Sequence, residues 1–271
     1  MDLELTIVTI TYRDPGGLRR TLESLRPLTN LVKFEHLIVN GSPEESGSGE
    51  IMLSDFPWTI DMIHEPPTGI YSAMNAGVKR ARGVVVWFLN SGDQLGEAEA
   101  VKMAVGEIVS GEIDIVCGDA RIFRAGKLQY GYRAPLDLWR GLRGENRFCH
   151  QAVFYSRKFF FQVGEYSDSF AFAGDYDHLM RCWGVGAQYR MLDAEVVQYD
   201  RSGVSDRHYR SVFREFRKIQ ERCLRGKNIF IRMQCGALFY LGYLRVVLFK
   251  RLVSSPLGFL LRPIWMGWKR L

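Results

Sequence analysis

The chain is marked first by what it does not contain. No G-x-G-x-x-G follows its first apolar run, and Arg13 to Gly17, RDPGG, cannot form the phosphate loop of a dinucleotide-binding strand-helix turn, which argues against an oxidoreductase of that type. Its five cysteines (Cys117, Cys149, Cys182, Cys223, Cys235) are odd in number, widely spaced and without a CxxC pair. Neither a disulfide framework nor a zinc site is suggested, and the cysteines read as buried thiols in a reducing cytosol. The N-terminus, MDLELTIVTITY, has acidic residues where a secretion signal needs basic ones, so its short apolar run reads as a first strand. No internal repeat is found, and no low-complexity tract longer than the loop Ser42 to Glu50. In the C-terminal region the longest uncharged stretch, Met233 to Leu244, has 12 residues, short of the about 20 that a spanning helix takes.

What is present divides the chain by charge. Residues 201–271 carry 16 Lys+Arg and 3 Asp+Glu, a net of +13, which leaves 20 basic and 27 acidic residues in the first 200, a net of −7. We therefore expect a catalytic-type domain at 1–205 and a basic, apolar helical appendage at 206–271, within a length that can bury one large core. Strand-like segments at Leu5 to Thr11, Phe34 to Val39, Ile60 to Ile63 and Val84 to Leu89 alternate with helix-like ones at Gly16 to Arg26, Ile70 to Arg82 and Glu97 to Val109. That alternation predicts an α/β, Rossmann-like sheet flanked by helices. Beyond Asp114 to Cys117 the pattern loosens into short strands at Arg121 to Phe123, Ala152 to Tyr155, Tyr189 to Leu192 and Val196 to Tyr199, a second, mixed part of the same domain.

The richest stretch is Gly69 to Asp93. Ile70, Met74, Gly77, Val78 and Ala81 recur at helical spacing and can face a core, while Ser72, Asn75, Lys79 and Arg82 face elsewhere. Val84 to Leu89 is continuously apolar, as suits a strand covered on both faces. Asn90-Ser91-Gly92-Asp93 ends it. Ligands collect beyond the carboxyl ends of such strands, where a lone carboxylate can hold a divalent metal and through it phosphate oxygens; the other reading is a plain turn.

TIVTITYR (Thr6 to Arg13), HLIVNGSPEESG (His36 to Gly47), GIYSAMNAG, FLNSGD, CHQAVFYSR (Cys149 to Arg157) and AGDYDHLMRCW (Ala173 to Trp183) follow one another over residues 4–200. In this order they resemble the family 2 glycosyltransferases of GT-A fold. They look most like the branch that builds bacterial exopolysaccharides, lipid-linked O-antigen repeats and colanic-acid-type polymers. The resemblance implies an inverting transferase that moves a sugar from a nucleotide-diphosphate donor, UDP-linked by the family's habit, to a lipid-linked (polyprenyl diphosphate) saccharide. It also implies Mn2+ or Mg2+ as cofactor.

Residue by residue, it places Thr11, Tyr12 and Arg13 at the nucleotide, with Ser42, Asn75 and Lys79 also on the donor side. Asn40 stands where the family has an aspartate that contacts uracil; an amide donates as well as accepts, and Glu44 or Glu45 could supply a carboxylate instead. The resemblance implies Asp93 as the metal ligand, at the last position of a DxD-type motif whose other carboxylates are replaced by Asn90 and Gly92. Asn90, with Ser91 and Gly92, lies at the ribose or sugar hydroxyls. Asp175 aligns with the family's base and Asp177 fixes that loop or the donor sugar; without the family, both read as carboxylates at a helix N-terminus. His150, Gln151 and Arg147, with Arg140 and Arg143 in the same basic loop, would bind acceptor or diphosphate, although a single His beside a strand is also a common structural residue. His208 could approach the site from the C-terminal segment.

The basic, apolar tail reads as an amphipathic region on an anionic membrane surface, peripheral on the cytoplasmic face of the bacterial inner membrane. A core-packing helical subdomain or a homo-oligomer interface would also use such residues, and no nucleic-acid motif accompanies the charge. The competing function is a non-catalytic, nucleotide-sugar-binding scaffold in a polysaccharide assembly complex, suggested by the thinned carboxylate motif.

Overall fold

The computed structural model describes residues 3–43, 53–124, 127–132, 141–143, 149–200 and 208–253. Its first half is a parallel sheet: β1 (Leu5–Thr11) lies between β2 (Phe34–Asn40) and β4 (Val85–Phe88), and β3 (Thr59–His64) extends the β2 edge, all four running the same way. The second half adds antiparallel neighbours. The full order is β3-β2-β1-β4-β8-β6-β9-β5, with β7 (Lys127–Tyr132) paired to β6 (Ile115–Arg124) off that path. Here β5 is Gln94–Leu95, β8 Val153–Ser156 and β9 Tyr189–Asp200. This is the mixed, helix-flanked α/β sheet expected.

The continuous apolar run of β4 is explained by its two covers. Val85 and Trp87 pack with Leu5 and Ile7 against Ala100, Val101, Ala104, Val105 and Ile108 of helix α3 (Ala98–Val109). Val86 and Phe88 point the other way, to Met74 and Val78 of α2 (Ile70–Arg80), and to Phe159 and Phe160 of α4 (Arg157–Val163). Gly77 is what lets α2 lie so close: a Cβ there would stand 2.5 Å from Val8 Cγ1. Ile70, expected in the core, is instead exposed at the start of α2. Helix α1 (Pro15–Ser24), capped by Asp14, precedes β2.

Two expected pairs of short strands are single long ones. Asp114 to Cys117 and Arg121 to Phe123 merge into β6, and Tyr189 to Leu192 and Val196 to Tyr199 into β9. The polar interruptions are register shifts around Asp119 that keep β6 and β9 paired through an irregularity. β5, β7 and α4 carried no sequence signal strong enough to be expected. Helix α5 (Gly174–Gly184) starts just before Asp175, so Asp175 and Asp177 belong to its first turn.

The tail begins as part of the domain. α6 (Tyr209–Cys223) is the strongly amphipathic helix; its Ile219 shares a core with Tyr176 and Met180 of α5, Leu142, Leu224 and Cys235. α7 (Ile229–Val253) follows, and is apolar on the face it docks as well as on the face it exposes. No helix among the described residues is long and apolar enough to cross a membrane.

Two imidazoles are locked into this core uncharged. His36 Nε2 lies 2.7 Å from Thr9 Oγ1, whose own proton goes to the Leu89 carbonyl at 2.6 Å, so the ring nitrogen donates. His178 stacks on Phe160 at 4.3 Å. Burial pushes the pKa of each down to about 3. The unfolded chain binds protons that the fold refuses, so their effect on stability is absent above the unfolded value of about 6.5 and grows as pH falls from there towards 3. Each histidine should add a slope of up to about 1.4 kcal/mol per pH unit. Urea midpoints measured between pH 7 and 5 should fall accordingly, and His178→Phe should flatten the slope by about one proton's worth.

Candidate active site

Because β2 lies on one edge of β1 and β4 on the other, the loops after β1 and β4 part and leave a crevice at their carboxyl ends. One wall is built from β1 and β2. Thr11 is paired with Asn40 and its carbonyl accepts from Gly41 N at 3.0 Å. Asn40 Oδ1 accepts from Ser42 N at 2.9 Å, and Ser42 Oγ accepts from Arg13 N at 2.7 Å. The Asn40 oxygen is thereby engaged, which leaves its NH2 as the group offered to a ligand. Arg13 adopts a left-handed φ of 51° and its guanidinium lies 5.3 Å from the ring centre of Tyr12, itself exposed. Beside them opens a cleft of about 300 Å³ lined by Asn40, Ser42, His64, Glu65, Pro66 and Pro67, among others.

The opposite wall is the turn Asn90 to Asp93. Asp93 N bonds the Asn90 carbonyl at 3.0 Å; Thr21 Oγ1 donates to Asp93 O at 2.7 Å and accepts from Gly92 N at 3.0 Å. Asp14 caps α1 through Gly17 N at 2.9 Å and also accepts from Ser91 Oγ at 2.9 Å. The Asp93 carboxylate, 4% exposed, accepts from Gln151 Nε2 at 2.9 Å, while Gln151 Oε1 accepts from Cys149 Sγ at 2.9 Å. Trp87 Nε1 holds the Gln151 carbonyl at 2.6 Å. Gln151 therefore orients Asp93 from behind, where an acceptor or diphosphate contact was expected.

The third component is Asp175. Tyr71 OH donates to its Oδ1 at 2.8 Å, and His150 Nδ1 lies 3.4 Å from its Oδ2; the two side chains of that second pair are 18% and 19% exposed. On its other side His150 Nε2 is 3.2 Å from Asn90 Nδ2. An amide NH2 can only donate, so Nε2 accepts and the ring proton is on Nδ1, facing the carboxylate. Burial lowers the His150 pKa, opposed by Asp175, and keeps the ring neutral. Asn90 Oδ1 is buried with no hydrogen-bond partner. Gly174 makes the arrangement possible, since a Cβ there would meet the Tyr71 ring at 2.7 Å.

Several expected site residues are elsewhere. Asp177 is wholly buried two residues on, between Arg181 at 3.0 Å and Arg222 of α6, so it joins α5 to the C-terminal helix and does not face the crevice. Asn75 spends both ends of its amide on the Tyr166 backbone, at 2.8 and 3.1 Å, and Lys79 pairs with Glu165 at 3.1 Å, in a separate polar hollow beside α2. His208 stacks on Phe172 at 5.1 Å. Arg147, Arg140, Glu44 and Glu45 lie outside the described residues. Conversely Tyr71, Asp14 and Thr21 were missed; the only sequence signal for Tyr71 was its place inside GIYSAMN. These positions predict that Asp177→Asn destabilises the fold by about 3 kcal/mol, since it removes the buried carboxylate that ties Arg222 of α6 to Arg181 of α5. Asp175→Asn should cost under about 1 kcal/mol; urea unfolding of both variants checks the difference.

Comparison with known proteins fits this geometry. The chain is 28% identical over 222 residues to the uncharacterised glycosyltransferase Rv1514c of Mycobacterium tuberculosis, covering 79% of this chain and 82% of that one. It is 30% identical over 174 residues to a PGL/p-HBAD biosynthesis glycosyltransferase of Mycobacterium bovis BCG, covering 63% and 66%. Among solved structures, S. aureus TarS (residues 1–349) superposes with a TM-score of 0.58 at 15% identity, over 80% of this chain and 65% of that one, a likeness of fold. The family model for Glycosyl transferase family 2 matches residues 6–164, more than half of the chain, and the protein belongs to that family.

Proposed function

We propose that this glycosyltransferase is an inverting enzyme that takes a nucleotide-diphosphate sugar, UDP-linked, and glycosylates a lipid-linked saccharide in bacterial surface polysaccharide synthesis. The observation that carries the reading is the meeting of Asp175, His150 and Asn90 across the crevice, next to Asp93. The relatives add support: TarS has been solved with UDP and with UDP-GlcNAc, and one curated relative is named for PGL/p-HBAD biosynthesis.

In this account the nucleotide occupies the cleft beside Asn40, Ser42 and Tyr12, with the diphosphate towards Asp93. Asp175 takes the proton of the acceptor hydroxyl as its oxygen bonds to the anomeric carbon and the bond from that carbon to the diphosphate oxygen breaks on the opposite face. Tyr71 and the neutral His150 each offer a proton to the carboxylate, which holds it in one rotamer. Asn90 Oδ1, without a partner, accepts from a sugar hydroxyl or serves as an oxygen ligand.

The donor set fits a hard divalent cation. Asp93 and Asn90 offer oxygens, although no cluster of three or more His, Cys, Asp or Glu suited to a metal occurs among the described residues, so substrate oxygens and water would complete the shell. Mn2+ or Mg2+ held there would neutralise the leaving diphosphate.

Release of UDP from donor with and without acceptor tests the assignment. Asp175→Asn should lower turnover by about 10²- to 10⁴-fold with nucleotide affinity little changed. Tyr71→Phe should lower it by about tenfold, because one hydrogen bond to the carboxylate is lost. Undiminished turnover in Asp175→Asn would remove it as the base, and nucleotide binding without turnover in the native chain would favour the scaffold.

A further inference from the structure

The strongest feature outside the crevice is the free face of α7. Phe230, Met233, Ala237, Leu241, Leu244 and Leu248 recur every three to four residues, and the five large ones are each more than half exposed. The opposite face is already used: Cys235 and Phe239 are 2% exposed, Phe213 of α6 packs on Phe239 at 5.8 Å and on Tyr243 at 4.9 Å, and Gln220 Nε2 donates to the Cys235 carbonyl at 3.0 Å. An apolar stripe of this length on a docked helix calls for a cover.

Charge identifies the cover. Residues 229–271 contain seven Lys+Arg and no Asp or Glu. Arg225 and Lys227, in the segment just before α7, and Arg245, about 70° round the helix from the stripe, are exposed. A second copy packed on this face would set these cations against their own kind, with no carboxylate in α7 itself to answer them. A bilayer with anionic headgroups answers both features, since acyl chains take the stripe and headgroups take the cations. We propose that the exposed face of α7 docks along the surface of an anionic lipid bilayer.

The docked helix is mechanically tied to the crevice. α6 lies between α7 and the loop that precedes Asp175: the Glu215 carboxylate accepts from Ala171 N at 3.0 Å and from Phe172 N at 2.9 Å, and Arg222 pairs with Asp177. A bilayer under α7 therefore holds the Asp175-bearing turn at a fixed place relative to the lipid surface. The docking rests on the exposed face and its charge, not on the transfer reaction, so vesicle binding and turnover can fail separately.

Cosedimentation of the full chain with vesicles tests it. Binding is expected to phosphatidylcholine vesicles containing about 30 mol % phosphatidylglycerol, not to phosphatidylcholine alone, with release at about 0.5 M NaCl. The double variant Leu241→Asp/Leu244→Asp, checked for native circular dichroism, should lose at least about tenfold in partitioning, and Arg225→Glu/Lys227→Glu should weaken binding to the anionic vesicles. Native protein that ignores anionic vesicles, or a Leu241→Asp/Leu244→Asp variant that binds as well as native, would overturn the proposal. A concentration-dependent dimer that this variant abolishes, without vesicle binding, would assign the face to a second copy.

Discussion

Strand β1 has β2 hydrogen-bonded along one edge and β4 along the other, all three parallel, and the chain reaches β4 only after leaving the β2 side through α2. That reversal separates the segment after Thr11 from the segment after Leu89. Between them a crevice is unavoidable, and the site is assembled around it. The sheet can hold this geometry because β4 is sealed on both faces, with Val85, Val86, Trp87 and Phe88 all at 0% exposure. A polar residue on either face of β4 would be buried without a partner, so the run is apolar throughout.

Around that crevice polar side chains are linked in two chains. Asp93 is held by Gln151, which is held in turn by Cys149 and Trp87; Asn90 reaches His150, which reaches Asp175, which is held by Tyr71. Each chain links a loop after a strand of the parallel half to the mixed second half of the domain. The Asn90–Asp93 turn and the Asp175 side chain are thereby set against each other by a few hydrogen-bonded side chains, the preorganisation that the proposed displacement at carbon requires. The same half is braced from outside by α6, through Glu215 and Arg222.

Much of this was readable before any coordinates. The alternation of strands and helices up to Val109 and the covered β4 follow from periodicity alone, and the order of motifs pointed to Asn90, Asp93, His150 and Asp175. What escaped was everything that depends on contact between distant segments. Asn75 and Lys79 have the polarity of ligand-binding residues, but α2 turns them to Tyr166 and Glu165. Asp175 and Asp177 are two apart on a helix, about 200° around its axis, so only one can face the crevice. Which one was decided by the arginine on α6, invisible to local reading. Tyr71 looked like one more core aromatic; its hydroxyl matters because Gly174 lets the α5 turn approach its ring.

The central claim is that the crevice between β1 and β4 is a nucleotide-sugar donor site. Calorimetric titration of the full chain with UDP, GDP and CDP, with and without Mn2+, tests it most directly. The account predicts binding of one nucleotide, UDP, strengthened by the metal. Failure of all three to bind to protein shown to be folded would contradict it.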